Sequence, residues 1–323
     1  MGFPREIDMA CENEAMVLPC FDFCKGGVTL EEGSKEWKEM SMKVREACES
    51  YGCFILKYDE ISIKGAREVI FKNMKPLFDL PQETKQQHIS PKPFNTHHCK
   101  NFENFDYESF GIDDAEIENF TNLMWPQGNP PLREALECMS SKISEISLFV
   151  LKMIMEGYGI SQNYISEVES IKSSSNMRFN KYKASANNND YDHVTRFPHT
   201  DKNSLTFLCD NGVQGLQVLS KTGKWSEITI PQNGLVVLVG DILKAWSNGR
   251  LYAATHRVEF SGEKERYSFG VFPAPKEEVI VEPRELVDET LHPLRYRPFN
   301  YGKFFSYYAS NRKDDALEVF AGL

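Results

Sequence analysis

The chain has 323 residues, 41% of them hydrophobic and 26% charged, which suits one large globular core although length alone would admit two domains. Its formal net charge is 37 − 47 = −10 with no basic cluster, which argues against a nucleic-acid partner. The mixed-charge segment 1–16 does not read as a secretory signal, and the most apolar runs, such as Leu148 to Met155, are too short to span a bilayer. Eight scattered cysteines without a Cys-x-x-Cys pair point to reduced thiols rather than a zinc or disulfide framework. A cytoplasmic monomer without membrane or nucleic-acid partners is the expectation.

Along the chain, Val17 to Phe23 reads as a short apolar strand. Ser34 can cap a helix over about Lys35 to Ser50, with Trp37, Met40, Val44, Ala47 and Tyr51 at helical spacing and Gly52 at its C-cap. Cys53 to Lys57 is a strand. Ser62 can cap a second helix with Ile63, Ala66, Ile70 and Met74 on one stripe, which Pro76 should kink or end. From Ser90 to Asp114 no clean period survives. His97 and His98, being adjacent, do not present both rings to one ion and read as surface or loop histidines. Phe94, Phe102, Phe105, Tyr107 and Phe110 either pack a loop onto the core or wall an apolar substrate pocket. Asn129-Pro130-Pro131 opens a long helix to about Glu156, with Leu132, Ala135, Met139, Ile143, Ile146, Val150 and Met153 as its buried stripe.

From Asn176 the pattern changes to short strands at regular spacing: Met177 to Lys183, Pro198 to Leu208, Leu216 to Leu219, Lys224 to Ile230, Leu235 to Val239, Ala254 to Phe260, Arg266 to Pro273 and Val279 to Val281. Turn signals such as Asp210-Asn211-Gly212 and Pro231-Gln232-Asn233-Gly234 separate them. The expected fold is mostly β with a helical cover, around a double-stranded β-helix (jelly-roll) core. Residues 1–323 then form a single domain, with about 1–175 as a helical N-terminal part, about 176–283 as the jelly-roll catalytic core and about 284–323 as an aromatic C-terminal tail and helix.

The chemistry concentrates between His199 and Ser268. In a strand, residues two apart share a face, so His199 and Asp201 can aim at one metal while His256 arrives from a second strand. Two histidines and one carboxylate on one side of an octahedral iron leave positions for cosubstrate and oxygen. The second His follows by 256 − 199 = 57 residues and Arg266 by a further 266 − 256 = 10. Arg266 and Ser268 share a face in turn, and a guanidinium fork beside a hydroxyl suits a distal carboxylate. The pattern reads as an iron oxygenase.

These residues resemble the plant 2-oxoglutarate- and Fe(II)-dependent dioxygenases (the isopenicillin-N-synthase-like family) over nearly the whole chain. Leu18 to Phe23 is similar to the family's opening strand, and Tyr51-Gly52-Cys53-Phe54 to its aromatic-Gly-x-Phe segment. Phe78-Asp79-Leu80-Pro81 is similar to its helix-ending motif. The most distinctive stretch runs from Gly240-Asp241 through Trp246-Ser247-Asn248-Gly249-Arg250 to His256-Arg257-Val258. The resemblance implies that His199, Asp201 and His256 hold iron, while Arg266, Ser268, Asn180 and Tyr182 bind 2-oxoglutarate. Lys183 stands where many relatives have Pro, and Cys53 replaces a common aromatic residue. His199-Thr200-Asp201-Lys202 and Pro298-Phe299-Asn300-Tyr301 look closest to the branch of glucosinolate side-chain-modifying enzymes.

By the same resemblance the protein is expected to decarboxylate 2-oxoglutarate to succinate and CO2, with O2 as oxidant and ascorbate as activator. It would oxidise a small, largely apolar plant specialised metabolite or hormone by hydroxylation, with demethylation or desaturation as variants. Phe102, Phe105, Phe110, Phe272, Tyr301 and Phe305 are the expected substrate contacts. The alternatives are an Fe(II) oxidase independent of 2-oxoglutarate, and a non-catalytic ligand-binding relative.

Overall fold

The computed structural model describes residues 16–23, 30–58, 61–101, 105–160, 169–184, 194–195, 198–260, 264–283 and 286–323. After β1 (Cys20–Asp22), helix α1 (Lys35–Ser50) starts where the Ser34 hydroxyl accepts from the Trp37 amide. Its buried face carries Trp37, Val44 and Ala47. Gly52 then turns the chain at φ +69, where a Cβ would lie 2.2 Å from the Tyr252 carbonyl oxygen, so only glycine fits between α1 and β2 (Cys53–Lys57).

Helix α2 (Ile61–Phe78) buries Ile63, Ala66, Ile70 and Met74 as expected, but Ser62 lies inside its first turn and Pro76 lies inside its last. A proline there removes one late hydrogen bond, and the buried Leu77 and Phe78 keep the turn packed. After the short α3 (Gln82–Lys85), the stretch read as aperiodic contains a hairpin, β3 (His97–Asn101) and β4 (Phe105–Asp113). A buried ion network hides its strand pattern. Glu108 accepts from Lys85 Nζ at 2.5 Å and from His97 Nε2 at 2.7 Å, in a place where alternation leads one to expect an apolar residue. His97 is therefore not a surface histidine: its side chain is 4% exposed, and both it and His98 lie on β3. Burial opposes the Glu108 carboxylate, but hydrogen bonds from His97 and Lys85 hold it below its ordinary pKa.

A single 3-10 turn leads into α4 (Ile117–Met124), and Asn129 caps the long α5 (Pro130–Tyr158), which ends at a left-handed Gly159. The remaining strands are β5 (Ser174–Ala184), β6 (Val194–Thr195), β7 (Leu205–Asp210), β8 (Leu216–Leu219), β9 (Trp225–Glu227), β10 (Gly234–Val239), β11 (His256–Phe260), β12 (Arg266–Ala274), β13 (Ile280–Val281) and β14 (Phe299–Asn300). Helix α6 (Asp241–Trp246) interrupts them, and α7 (Tyr301–Asn311) and α8 (Ala316–Ala321) follow.

Two sheets face each other as a jelly roll: an eight-stranded sheet ordered β1-β2-β10-β7-β12-β5-β4-β3 and a four-stranded sheet ordered β6-β11-β8-β9. All four strands described in the first 173 residues join the larger sheet, so the helical cover and the barrel share one β-layer. Strand periodicity explains the layering. In β10, Leu235, Val237 and Val239 face the helices, whereas Val236 and Leu238 pack with Leu216 and Val218 of the opposite layer and with Ile230, which follows β9. The same alternation in β12 sends Tyr267, Phe269 and Val271 to the helical side and leaves Arg266, Ser268 and Phe272 on the inner face, where they line a cavity.

Candidate active site

The expected strand Pro198 to Leu208 is split. His199 makes an isolated bridge to His256, and the continuous strand begins only at Leu205. His199 and His256 exchange both backbone hydrogen bonds, at 3.1 and 2.9 Å, which sets their rings side by side with centroids 4.4 Å apart. Asp201 lies in the loop that follows. Its Oδ1 is 3.8 Å from His199 Nε2, and its Oδ2 is 3.7 Å from His256 Nε2. These separations are too long for hydrogen bonds, and the ligand atoms of all three residues lie within 4.8 Å of one another. Two imidazole nitrogens and a carboxylate oxygen on one side of a site suit Fe(II).

Neighbouring groups orient these ligands. His256 Nδ1 lies 3.1 Å from the Ala254 carbonyl oxygen, which can only accept, so the proton sits on Nδ1 and the Nε2 lone pair faces the metal position. Thr206 Oγ1 donates to Asp201 Oδ2 at 2.6 Å. We expect Thr206→Val to weaken Fe(II) binding by roughly 10-fold, measured by anaerobic competition with a chelating indicator. An unchanged affinity would mean that Thr206 does not orient the carboxylate.

A buried charge pair braces the same loop. Lys202 Nζ donates to Asp241 Oδ2 at 2.7 Å and to Thr200 Oγ1 at 2.6 Å, and lies 4.9 Å from the Tyr308 ring centroid. The Asp241 amide holds the Asp201 carbonyl at 2.8 Å. The residues on either side of Asp201 are thus tied to the first turn of α6. Burial pushes the Asp241 carboxyl up, with Lys202 opposing. Lys202→Met leaves that carboxylate buried without its cation and should cost about 3–5 kcal/mol in urea unfolding, against no measurable change if the pair is dispensable.

The expected carboxylate receptor sits on two adjacent strands. Register pairs Arg266 with Tyr182 and Ser268 with Asn180, so four candidate side chains face the cavity together. Asn180 Nδ2 donates to Ser268 Oγ at 3.3 Å, and Tyr107 donates to Asn180 Oδ1 at 2.9 Å, a contact that sequence reasoning missed because β4 was not recognised. Arg266 is 2% exposed. Its Nε donates to the Val213 carbonyl at 3.1 Å and its Nη2 to Asp210 at 3.2 Å, while its buried Nη1 has no partner among the described residues. A buried cation with one uncommitted edge is costly unless a ligand anion meets it, which fits a dicarboxylate cosubstrate.

A cavity of about 620 Å³ joins the His–Asp–His cluster to this receptor. Phe272, Tyr301 and Phe305 line it as expected, joined by Phe94 and Tyr308, which no motif singled out as a pair. Phe94 packs against both Phe305 and Tyr308, with centroids 6.0 Å away in each case. Phe110 does not reach the cavity: it faces the helices, against Phe78 and Phe120. Phe102 lies outside the described residues, and Phe105 is placed only as the first backbone position of β4.

Residues 173–275 match the 2OG-Fe(II) oxygenase superfamily, and residues 18–141 match the N-terminal family described as non-haem dioxygenase in morphine synthesis. The chain is 40% identical over 317 residues to the probable 2-oxoglutarate-dependent dioxygenase AOP1.2 of Arabidopsis thaliana, covering 94% of this chain and 95% of that protein. It resembles the crystal structure of a rice dioxygenase for auxin oxidation at 26% identity and TM-score 0.74, covering 95% and 100% of the two chains. It also resembles the corresponding Arabidopsis thaliana enzyme in its 2-oxoglutarate complex at 26% identity and TM-score 0.69, covering 86% and 100%. Among the described residues, no helix is long and apolar enough to cross a membrane.

Proposed function

The chain belongs to the 2-oxoglutarate-dependent dioxygenases of the 2OG-Fe(II) oxygenase superfamily, and from that premise we propose that it hydroxylates a small, largely apolar plant specialised metabolite or hormone. It is an oxidoreductase that uses Fe(II) and 2-oxoglutarate. The observation that carries the reading is one cavity lined by the His–Asp–His cluster, by Arg266 with its unpartnered Nη1, and by the aromatic group Phe94, Phe305 and Tyr308.

His199, Asp201 and His256 hold the metal, and Arg266, Ser268, Asn180 and Tyr182 take the cosubstrate. Fe(II), when bound there, would supply the redox chemistry that couples O2 to the decarboxylation of 2-oxoglutarate to succinate and CO2. The chain's own groups do the rest. Arg266 fixes the far carboxylate and thereby the direction in which the 2-oxo acid reaches the metal. Thr206 and Ala254 fix the directions of Asp201 and His256. The aromatic wall excludes water and holds one C–H bond of the substrate near the metal position. A cavity of about 620 Å³ has room for a metabolite of modest size beside the cosubstrate. The similar rice enzyme is a dioxygenase for auxin oxidation, and that likeness supports a substrate of hormone size for this chain. We place the protein as a cytosolic monomer whose helical cover and barrel act as one catalytic unit.

Incubation with Fe(II), 2-oxoglutarate, ascorbate and plant metabolite fractions tests this reading. A product one oxygen heavier than its precursor, formed with matching release of CO2, supports it. Loss of a methyl group or of two hydrogens would instead assign demethylation or desaturation. Oxidation without a 2-oxoglutarate requirement would favour the oxidase reading.

A further inference from the structure

We infer that Asp210, at the end of β7, is a positioning residue for the cosubstrate: it fixes the Arg266 guanidinium so that only its Nη1 edge faces the cavity. The inference rests on the proposed role of Arg266. A guanidinium has donors on three nitrogens. Here two of them are taken, Nε by the Val213 carbonyl at 3.1 Å and Nη2 by Asp210 Oδ2 at 3.2 Å, and the third has no partner among the described residues. An arginine held at two corners has one orientation left for its open edge, so the ordering entropy of the fork is met before the ligand arrives.

Asp210 is itself held. Its Oδ1 accepts from the Gly212 amide at 3.0 Å, its carbonyl accepts from Arg67 Nη2 at 2.7 Å, and its backbone pairs in register with Ser268. The turn that follows is tied to the start of β12 three times: Asn211 N–H donates to the Tyr267 carbonyl, the Tyr267 amide to Asn211 Oδ1, and Asn211 Nδ2 to the Glu265 carbonyl, each at 3.1 Å. Gly215 lies beside the arginine stem, where a Cβ would touch Arg266 Cδ at 3.4 Å, and glycine is required there by the Glu259 carbonyl oxygen, which a Cβ would meet at 2.7 Å. The Asp210-Asn211-Gly212 sequence, legible only as a turn, is a cradle for the carboxylate-binding arginine.

The geometry sets a demanding requirement at position 210. Both carboxylate oxygens accept, one from Gly212 and one from Arg266, and an amide has only one oxygen to offer. Asp210→Asn therefore cannot serve both donors and removes the charge opposite the guanidinium, so the hold on the fork is weakened even though size and shape are kept. Burial pushes the Asp210 carboxyl up and Arg266 opposes that shift, consistent with a desolvated pair rather than a surface contact.

The test compares binding of 2-oxoglutarate with binding of 2-oxopentanoate, which lacks the distal carboxylate, by anaerobic calorimetry on the Fe(II)-loaded protein. In wild type the preference for 2-oxoglutarate measures the Arg266 contact. Asp210→Asn is expected to reduce that preference roughly 10-fold, with 2-oxopentanoate and Fe(II) affinities unchanged. Arg266→Ala should reduce it further. If the Asn variant does not fold, Asp210→Glu, which displaces the carboxylate by one methylene, carries the same expectation. An unchanged or increased preference in the Asp210 variants, with the preference lost in Arg266→Ala, overturns the positioning role and leaves the arginine's role intact. A preference retained in Arg266→Ala overturns both.

Discussion

Asp201→Ala is expected to abolish 2-oxoglutarate-coupled turnover while the protein still folds. Loss of a group that merely supports a metal ligand costs about 10- to 100-fold in affinity or activity, so loss of a ligand itself should exceed about 100-fold. The fold should tolerate the change because the loop does not depend on the carboxylate. The Asp201 carbonyl keeps the Asp241 amide at 2.8 Å, and the Asn203 carbonyl keeps the Ile242 amide at 3.2 Å. The Lys202–Asp241 pair is untouched, and Thr206 Oγ1 retains Asn203 Oδ1 at 3.3 Å as an acceptor. CO2 release and a thermal melt on the same preparation check both halves. Turnover near the wild-type rate would remove Asp201 from the metal site, and a collapsed melt would make it structural.

Arg266→Ala should raise the 2-oxoglutarate requirement by about 10²- to 10³-fold, in line with 2–5 kcal/mol for truncating one partner of a buried hydrogen-bonded charge pair. The Fe(II) requirement should stay within about 3-fold, because the cost falls on the carboxylate receptor and not on the metal ligands. The variant also leaves Asp210, whose side chain is 5% exposed, without its cation, so a loss of stability accompanies the kinetic change. Arg266→Lys separates the two effects: it keeps the charge and loses the planar fork, and an intermediate 2-oxoglutarate requirement is expected. Equal effects on both requirements would assign Arg266 to structure.

The site was more legible than its surroundings. His199, Asp201, His256, Arg266 and Ser268 could be named because metal and carboxylate chemistry restrict residue type and spacing, and the fold brings them to one cavity. The first pair comes together by another route than a shared strand. His199 and Asp201 do not share a continuous strand; a two-residue bridge to His256 and a loop braced by Asp241 bring them together. The β3–β4 hairpin is not legible in the sequence because its buried face carries Glu108, paired with Lys85 and hydrogen-bonded to His97, where a strand pattern calls for an apolar residue. Without that hairpin the sequence does not place Phe110, which faces the helices, nor show that Tyr107, one of the aromatics it singles out, supports Asn180. Asp210 is legible only as a turn residue, Lys202 only as part of a family motif and Thr206 not at all, because each acts through another residue and such partners appear only when strands are in register. The long helices were plain by contrast, since caps such as Ser34 and Asn129 and stripes such as Leu132 to Met153 are local features.

The most direct measurement is an anaerobic titration of the protein with Fe(II) and then 2-oxoglutarate, followed by visible absorption. A metal-to-ligand charge-transfer band that appears only when both are present, and is lost in His256→Ala, is the predicted result. Folded, iron-loaded protein that gives no band would contradict the cosubstrate site, and failure to take up iron at all would contradict the metal centre.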